Sequence, residues 1–173
     1  MGVTAVVGAA FQAADGTPRI TSVACQADGN VRVAFKAYLH GVERGSFAAG
    51  SEVPTLLDVE GWRVALAVCY DVAVPKHAVS ALYTQGQERR LDLHLGARAM
   101  DHSMYTVLAN LAGRSHDWVS YGRSGVWSPD SRPLLVTGVE EGLVVVTLQL
   151  RDHATQAGSA FVVERRSSEG RGS

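Results

Sequence analysis

Cysteine is scarce: Cys25 and Cys69 are the only two in 173 residues. A pair is too few for a disulfide framework, and with no CxxC or paired-histidine spacing the chain carries no structural zinc signature. The six histidines stand singly and read as surface or satisfied residues rather than ligands, so no metal is expected. Long apolar runs are missing as well. None approaches the roughly 20 residues that a bilayer requires, and the opening MGVTAVVGAAFQAADG lacks the basic flank of a signal peptide. The expected location is cytoplasmic, with no membrane partner. Positive charge is not concentrated either: 16 Lys and Arg stand against 17 Asp and Glu, a net charge of -1. Basic residues cluster only in the tail, so no face would release phosphate counterions and nucleic acid is not an expected partner. Internal repeats and a domain linker are also absent.

What is present is apolar material, 46% of the chain, enough for the core of one globular domain. That domain is expected over residues 1–164, with the polar RRSSEGRGS stretch making 165–173 a disordered tail. The chain begins with β patterning. VTAVVGAAFQ, RITSVACQA and VRVAFKAYL are separated by the turn chemistries AADGTP and DGN, and this predicts a three-stranded meander. In the third strand Val31, Val33 and Phe35 share one face and Arg32, Ala34 and Lys36 the other, with Lys36 near the strand's end. The segment HGVERGSFAAGSEVPT is a long irregular loop, of the kind that more often carries function than decoration. LLDVEGWRVALAVCYD predicts a strand, a turn at Glu60-Gly61 and a second strand. That strand is apolar on both sides after Arg63, as expected for the interior of a layered fold. PKHAVSALYTQ could open a helix, and QERRLDLHLGARAMDHSMY places Leu91, Leu95 and Ala99 or Met100 at helical spacing. TVLANLAG, SGVWSPDSRPLLVTG and EGLVVVTLQL read as strands, with a type I turn at Pro129-Asp130.

Cys69 ends an apolar run and is followed by Tyr70 and Asp71. Two readings are open. A cysteine among Val, Ala and Leu is usually inert core. A cysteine at a sharp strand-to-loop turn can instead expose its sulfur and the next backbone N–H, as nucleophile elbows do. A thiol attacks only as thiolate, so the second reading needs a base or a positive field beside it. Lys36, at the end of one strand, and Glu43, in the loop, could arrive at the same sheet edge, where the lysine would stabilise an oxyanion. In isolation both would be read as solvated surface charges.

Taken together, these segments resemble the carbon-nitrogen hydrolase, or nitrilase, superfamily, whose members use a Glu-Lys-Cys triad. VAFKAYLHGVERGSFAAG is similar to the segment carrying the lysine, a second glutamate and a downstream Phe-x-x-Gly. GWRVALAVCYD is similar to the nucleophile segment, and GARAMDHSMYTVLANLAG to a helix and strand ending in an asparagine. YGRSGVWSPDSRPL and EEGLVVVTLQL resemble the closing strands. The resemblance implies an α/β fold, the four-layer-type αββα sandwich of the superfamily, here truncated at the N-terminus. It implies hydrolysis of a non-peptide C–N bond in a small-molecule amide, without a cofactor, by a chain that forms homo-oligomers. Cys69 would attack the carbonyl carbon to give a thioester. Lys36 and the Tyr70 backbone N–H would stabilise the oxyanion, and Glu43 would help to orient substrate and water.

The pattern breaks in two places. The family's general-base glutamate precedes everything visible here, and general-base help is typically worth about 10²–10⁴ in rate. After Cys69, PKHA runs almost straight into VSALYTQ, so part of a helix and a core strand of the family pattern have no counterpart. Glu88, in a charged QERR stretch, is a weak substitute base, and His77 suits an ordinary helix and is given no role. Trp118, Tyr121 and Trp127 fit either apolar pocket walls or core aromatics. The competing reading is a catalytically inactive family member acting in binding or assembly. A papain-like hydrolase lacks any matching local signature.

Overall fold

The structure, a computed structural model, describes residues 2–69, 71, 74, 88–115, 118–148 and 163–166. They fall into two compact units, Met1–Leu82 and Tyr83–Ser173. Strands dominate, with one long helix among the described residues. No helix among them is long and apolar enough to cross a membrane.

The first unit opens with the expected meander: β1 (Ala5–Gln12), β2 (Pro18–Cys25) and β3 (Val31–Phe35), antiparallel in the order β1-β2-β3. The turn residues decide the reversals, with Gly16 at φ 78° and Gly29 at φ 87°, where a side chain would strain the backbone. The register sets Ser22 opposite Ala34 and Ala24 opposite Arg32. The buried face is therefore the one carrying Ser22, Ala24, Ala34 and Lys36. The Val31, Val33 and Phe35 face is exposed to half-exposed, and the Arg19 guanidinium lies over the Phe35 ring, 5.1 Å from its centroid. Small side chains on the covered face let a second hairpin come close. Its strands are β4 (Thr55–Val59) and β5 (Trp62–Leu66), and Leu57 and Leu66 close a core with Ala24 and Ala34.

The β4–β5 turn falls at Glu60 and Gly61, both at positive φ, 49° and 84°, which suits the twist of a two-residue hairpin. The expected cover on both faces of β5 holds only at its end. Arg63 and Val64 are exposed, whereas Leu66, Ala67 and Val68 are buried. Among the described residues β5 pairs only with β4, so its apolar start is not enclosed by neighbouring strands.

In the second unit α1 (Glu88–Asp101) buries Leu91, Leu95 and Ala99 completely, the i, i+4, i+8 face, while Met100 points outward. It lies against β6 (Thr106–Leu108) and β9 (Gly125–Trp127), which with β10 (Pro133–Val136) form an antiparallel sheet ordered β10-β9-β6. The Thr106 hydroxyl donates to the Leu95 carbonyl at 3.1 Å. Gly96 allows a close approach: a Cβ there would stand 3.0 Å from the Ser131 carbonyl oxygen, a tight contact. The Pro129-Asp130 turn is present, closed by the Ser131 N–H on the Ser128 carbonyl at 2.9 Å. Hydrogen bonds from Arg132 and then Ser128 hold the Asp130 carboxyl down at about 2. Two further hairpin pairs are β7 (Ala112–Ser115) with β8 (Trp118–Tyr121), and β11 (Leu143–Val146) with β12 (Val163–Arg166). PKHAVSALYTQ, and with it His77, lies outside the described residues.

Candidate active site

The site is built where β3 runs out. Lys36 follows the last strand residue on the same face as Ala34, so its side chain enters the covered side of the sheet and is fully buried. Its backbone stays in register one step further, the N–H donating to the Ile20 carbonyl at 2.8 Å. The loop then turns through a 3₁₀ helix, Gly41–Gly45, which brings Glu43 back toward the strand. Lys36 Nζ lies 2.6 Å from Glu43 Oε1 and 2.6 Å from Oε2. The same carboxylate accepts the His40 N–H at 2.8 Å, the reach-back half of a capping box. The Glu43 carbonyl accepts the N–H groups of Ser46 and Phe47. Both its side chain and its backbone are thus held. Neither residue is a freely solvated surface charge: the Lys36 side chain is 0% exposed and that of Glu43 24%.

The loop returns onto the strand end through Gly50, whose N–H donates to the Lys36 carbonyl at 2.8 Å. A Cβ on Gly50 would lie 2.5 Å from Phe35 Cβ, so the final glycine of Phe47-Ala48-Ala49-Gly50 is needed for close approach.

Cys69 lies three residues beyond β5, at φ 52°. The left-handed region costs a residue with a Cβ about 1–2 kcal/mol, and such strain collects at functional turns. The Asp71 N–H donates to the Val68 carbonyl at 3.2 Å, closing a tight turn with Cys69 inside it. Cys69 thus stands in a sharp turn beyond the strand and is partly exposed. Tyr70 lies outside the described residues.

Asp71 was not assigned a role by its sequence context, and it organises this region. Only 2% exposed, its carboxylate accepts the backbone N–H groups of Ala37 at 3.3 Å, Tyr38 at 2.8 Å and Val68 at 3.1 Å. The segment after Lys36 and the segment before Cys69 are therefore tied to one side chain. Next to it, burial pushes the Tyr38 phenol up, helped by the charge and hydrogen bond of Glu52 and the charge of Asp71. A cavity of about 60 Å³ borders Ala34, Leu66 and Asp71, room for a few waters.

The remaining candidates lie elsewhere in the chain. Trp127 is 1% exposed in β9, a core aromatic. Trp118 and Tyr121 belong to β8 and Glu88 opens α1, but their side chains are outside the described residues.

Residues 1–157 match the family model described as carbon-nitrogen hydrolase. The chain belongs to the carbon-nitrogen hydrolase family. A "hydrolase in pqqF 5'region" of Pseudomonas protegens is 28% identical over 127 residues, covering 65% of this chain and 44% of that protein. The deaminated glutathione amidase of Escherichia coli O157:H7 is 33% identical over 82 residues, 39% of this chain and 31% of that one. The chain thus spans less than half the length of these curated relatives. Among solved structures, the NitN amidase of Nesterenkonia sp. AN1 superposes with a TM-score of 0.73 at 26% identity, over 80% of this chain and 60% of its own. One structure of the Nesterenkonia amidase is a complex with butyramide. Another shows covalent addition of the acetamide moiety of fluoroacetamide at the active-site cysteine. The α/β fold of the chain is accordingly that of the nitrilase superfamily, represented here by part of the αββα sandwich.

Proposed function

We propose that this carbon-nitrogen hydrolase acts on small amides through a thioester on Cys69. The observation that carries the reading is the buried, Glu43-paired Lys36 on a segment that shares the Asp71 carboxylate with the Cys69 turn. The Cys69 thiolate attacks the amide carbon, and the carbonyl π pair moves to oxygen. An ammonium has three N–H donors, so pairing with both Glu43 oxygens leaves Lys36 one for that oxyanion, beside the Tyr70 N–H. Collapse expels ammonia or an amine, which takes up from solvent water a proton equivalent to the one the thiol gave up, and water then cleaves the thioester to give a carboxylic acid and the free thiol. Glu43 keeps the cation aimed and borders the site where substrate and water are oriented. A mutant of the Nesterenkonia amidase that carries the acetamide moiety of fluoroacetamide on its active-site cysteine supports the assignment of that atom.

The test is ammonia release from acetamide, propionamide and butyramide. Cys69→Ala should lower the rate at least about 10³-fold; equal rates in the two proteins would defeat the proposal.

A second reading, a binding or assembly subunit associating with copies of itself, is favoured by β1. Every residue of that strand is exposed and none is charged, which leaves an open template for strand pairing. It predicts particles larger than 18.4 kDa by light scattering and no hydrolysis of any of the three amides.

A further inference from the structure

We propose that Asp71 is the positioning residue of this site, setting the lysine and the cysteine against each other by gripping the backbone next to both. The inference rests on the assignment of Cys69 and Lys36 given above and adds to it a residue that touches no reacting atom.

The argument lies in which atoms share an acceptor. A single oxygen, Asp71 Oδ2, accepts the N–H of Ala37 at 3.3 Å and the N–H of Val68 at 3.1 Å. Ala37 directly follows Lys36, and Val68 directly precedes Cys69. The other oxygen, Oδ1, accepts the Tyr38 N–H at 2.8 Å. Lys36 and Cys69, far apart in sequence, are each one residue from a nitrogen bound to the same atom. The Asp71 backbone closes the turn that holds Cys69 at φ 52°. One residue therefore fixes both the strained conformation of the cysteine and its register against the end of β3.

A carboxylate suits this task and an amide does not. Its two oxygens only accept, matching three converging donors at a position that is 2% exposed. In Asp71→Asn the amide group must turn an NH₂ toward at least one backbone N–H, and a donor facing a donor pushes the segments apart. Displacements of about 1 Å at a reacting pair cost up to about 10²-fold.

The readout is the second-order rate and pH profile of Cys69 alkylation by iodoacetamide. It is measured in a Cys25→Ala background, because Cys25 is also a free and exposed thiol. Asp71→Asn should keep the far-ultraviolet circular dichroism of the parent, slow alkylation near neutral pH by about 10- to 100-fold, and move its pH profile upward as the Lys36 cation loses its place. A folded variant with the parent's rate and profile overturns the proposal. If Asp71→Asn does not fold, hydrogen exchange in the unsubstituted site decides. Alkylating Cys69 should change exchange at the Ala37 and Tyr38 amides, and unchanged exchange there overturns the coupling. A chain that releases no ammonia from amides, yet shows rapid and Asp71-dependent alkylation, loses the amidase reading and keeps this one.

Discussion

Replacing one member of the Lys36–Glu43 pair leaves the other where it lies, and the two losses are unequal. The Lys36 side chain is fully buried, whereas that of Glu43 retains 24% exposure. In Glu43→Gln a buried ammonium loses its counter-charge, a situation that typically costs about 3–5 kcal/mol. In Lys36→Met the apolar stem is kept and the remaining carboxylate can turn toward water, so the cost should be nearer 1–2 kcal/mol. Urea unfolding midpoints should therefore fall further for Glu43→Gln, and the double variant should be less destabilised than the sum of the singles. Equal midpoints for the two single variants would show that burial of the charge is not what the pair compensates. Both variants should lose amide hydrolysis, because Lys36→Met removes the cation and Glu43→Gln removes the carboxylate that aims it. Spacing alone left Lys36 and Glu43 readable as solvated surface charges, and it was the resemblance of their segment to the family's lysine segment that singled them out. Asp71 was not: its partners are backbone N–H groups 33 and 34 residues away, which leave no mark on side-chain identity. The one available signal was an acid placed directly after an apolar run.

Helix α1 shows how an element sets the titration of a residue it carries. His94 has Arg90 one turn before it and Arg98 one turn after it. Burial, and then the charges of these two arginines, push its imidazole below the ordinary 6.5. The folded chain thus resists protonation that the unfolded chain accepts. Stability is fully present above pH 6.5 and is lost as pH falls from there through the lowered folded-state value. His94→Gln should flatten that decline, so that the urea midpoints of variant and parent converge in mildly acidic buffer. Parallel profiles would exclude His94 as the source. The apolar spacing of Leu91, Leu95 and Ala99 made this helix readable, since three buried residues on one stripe suffice to define it. The spacing could not tell Ala99 from Met100, which sit on either side of the stripe's edge. For β5 the pattern overstated burial. Val64 has the composition of an interior strand, but exposure depends on which strands lie beside it, and that is a property of the pairing and not of the segment.

At the scale of the whole chain, β1 is the feature least like a finished surface. Its residues, Ala5–Gln12, are all exposed, with Val6 at 48%, Val7 at 58% and Phe11 at 45%. Pairing to β2 uses one edge, and among the described residues no strand pairs with the other. Natural edges are usually interrupted by lysine, proline or a bulge; β1 has an unbroken register with β2 and neither residue type. Such an edge gains hydrogen bonds and apolar cover by adding a strand from a second copy, which is how the expected homo-oligomer would form. Val7→Lys tests this, because Val7 is exposed and the charge should cost the folded chain no more than about 0.5 kcal/mol, whereas opposing a second β1 would bring like charges together. Light scattering should give a mass above 18.4 kDa for the unsubstituted chain and a lower one for Val7→Lys, with the urea midpoint unchanged at low protein concentration. An unsubstituted chain already at monomer mass, or a variant of undiminished mass, would mean that β1 is not the seam.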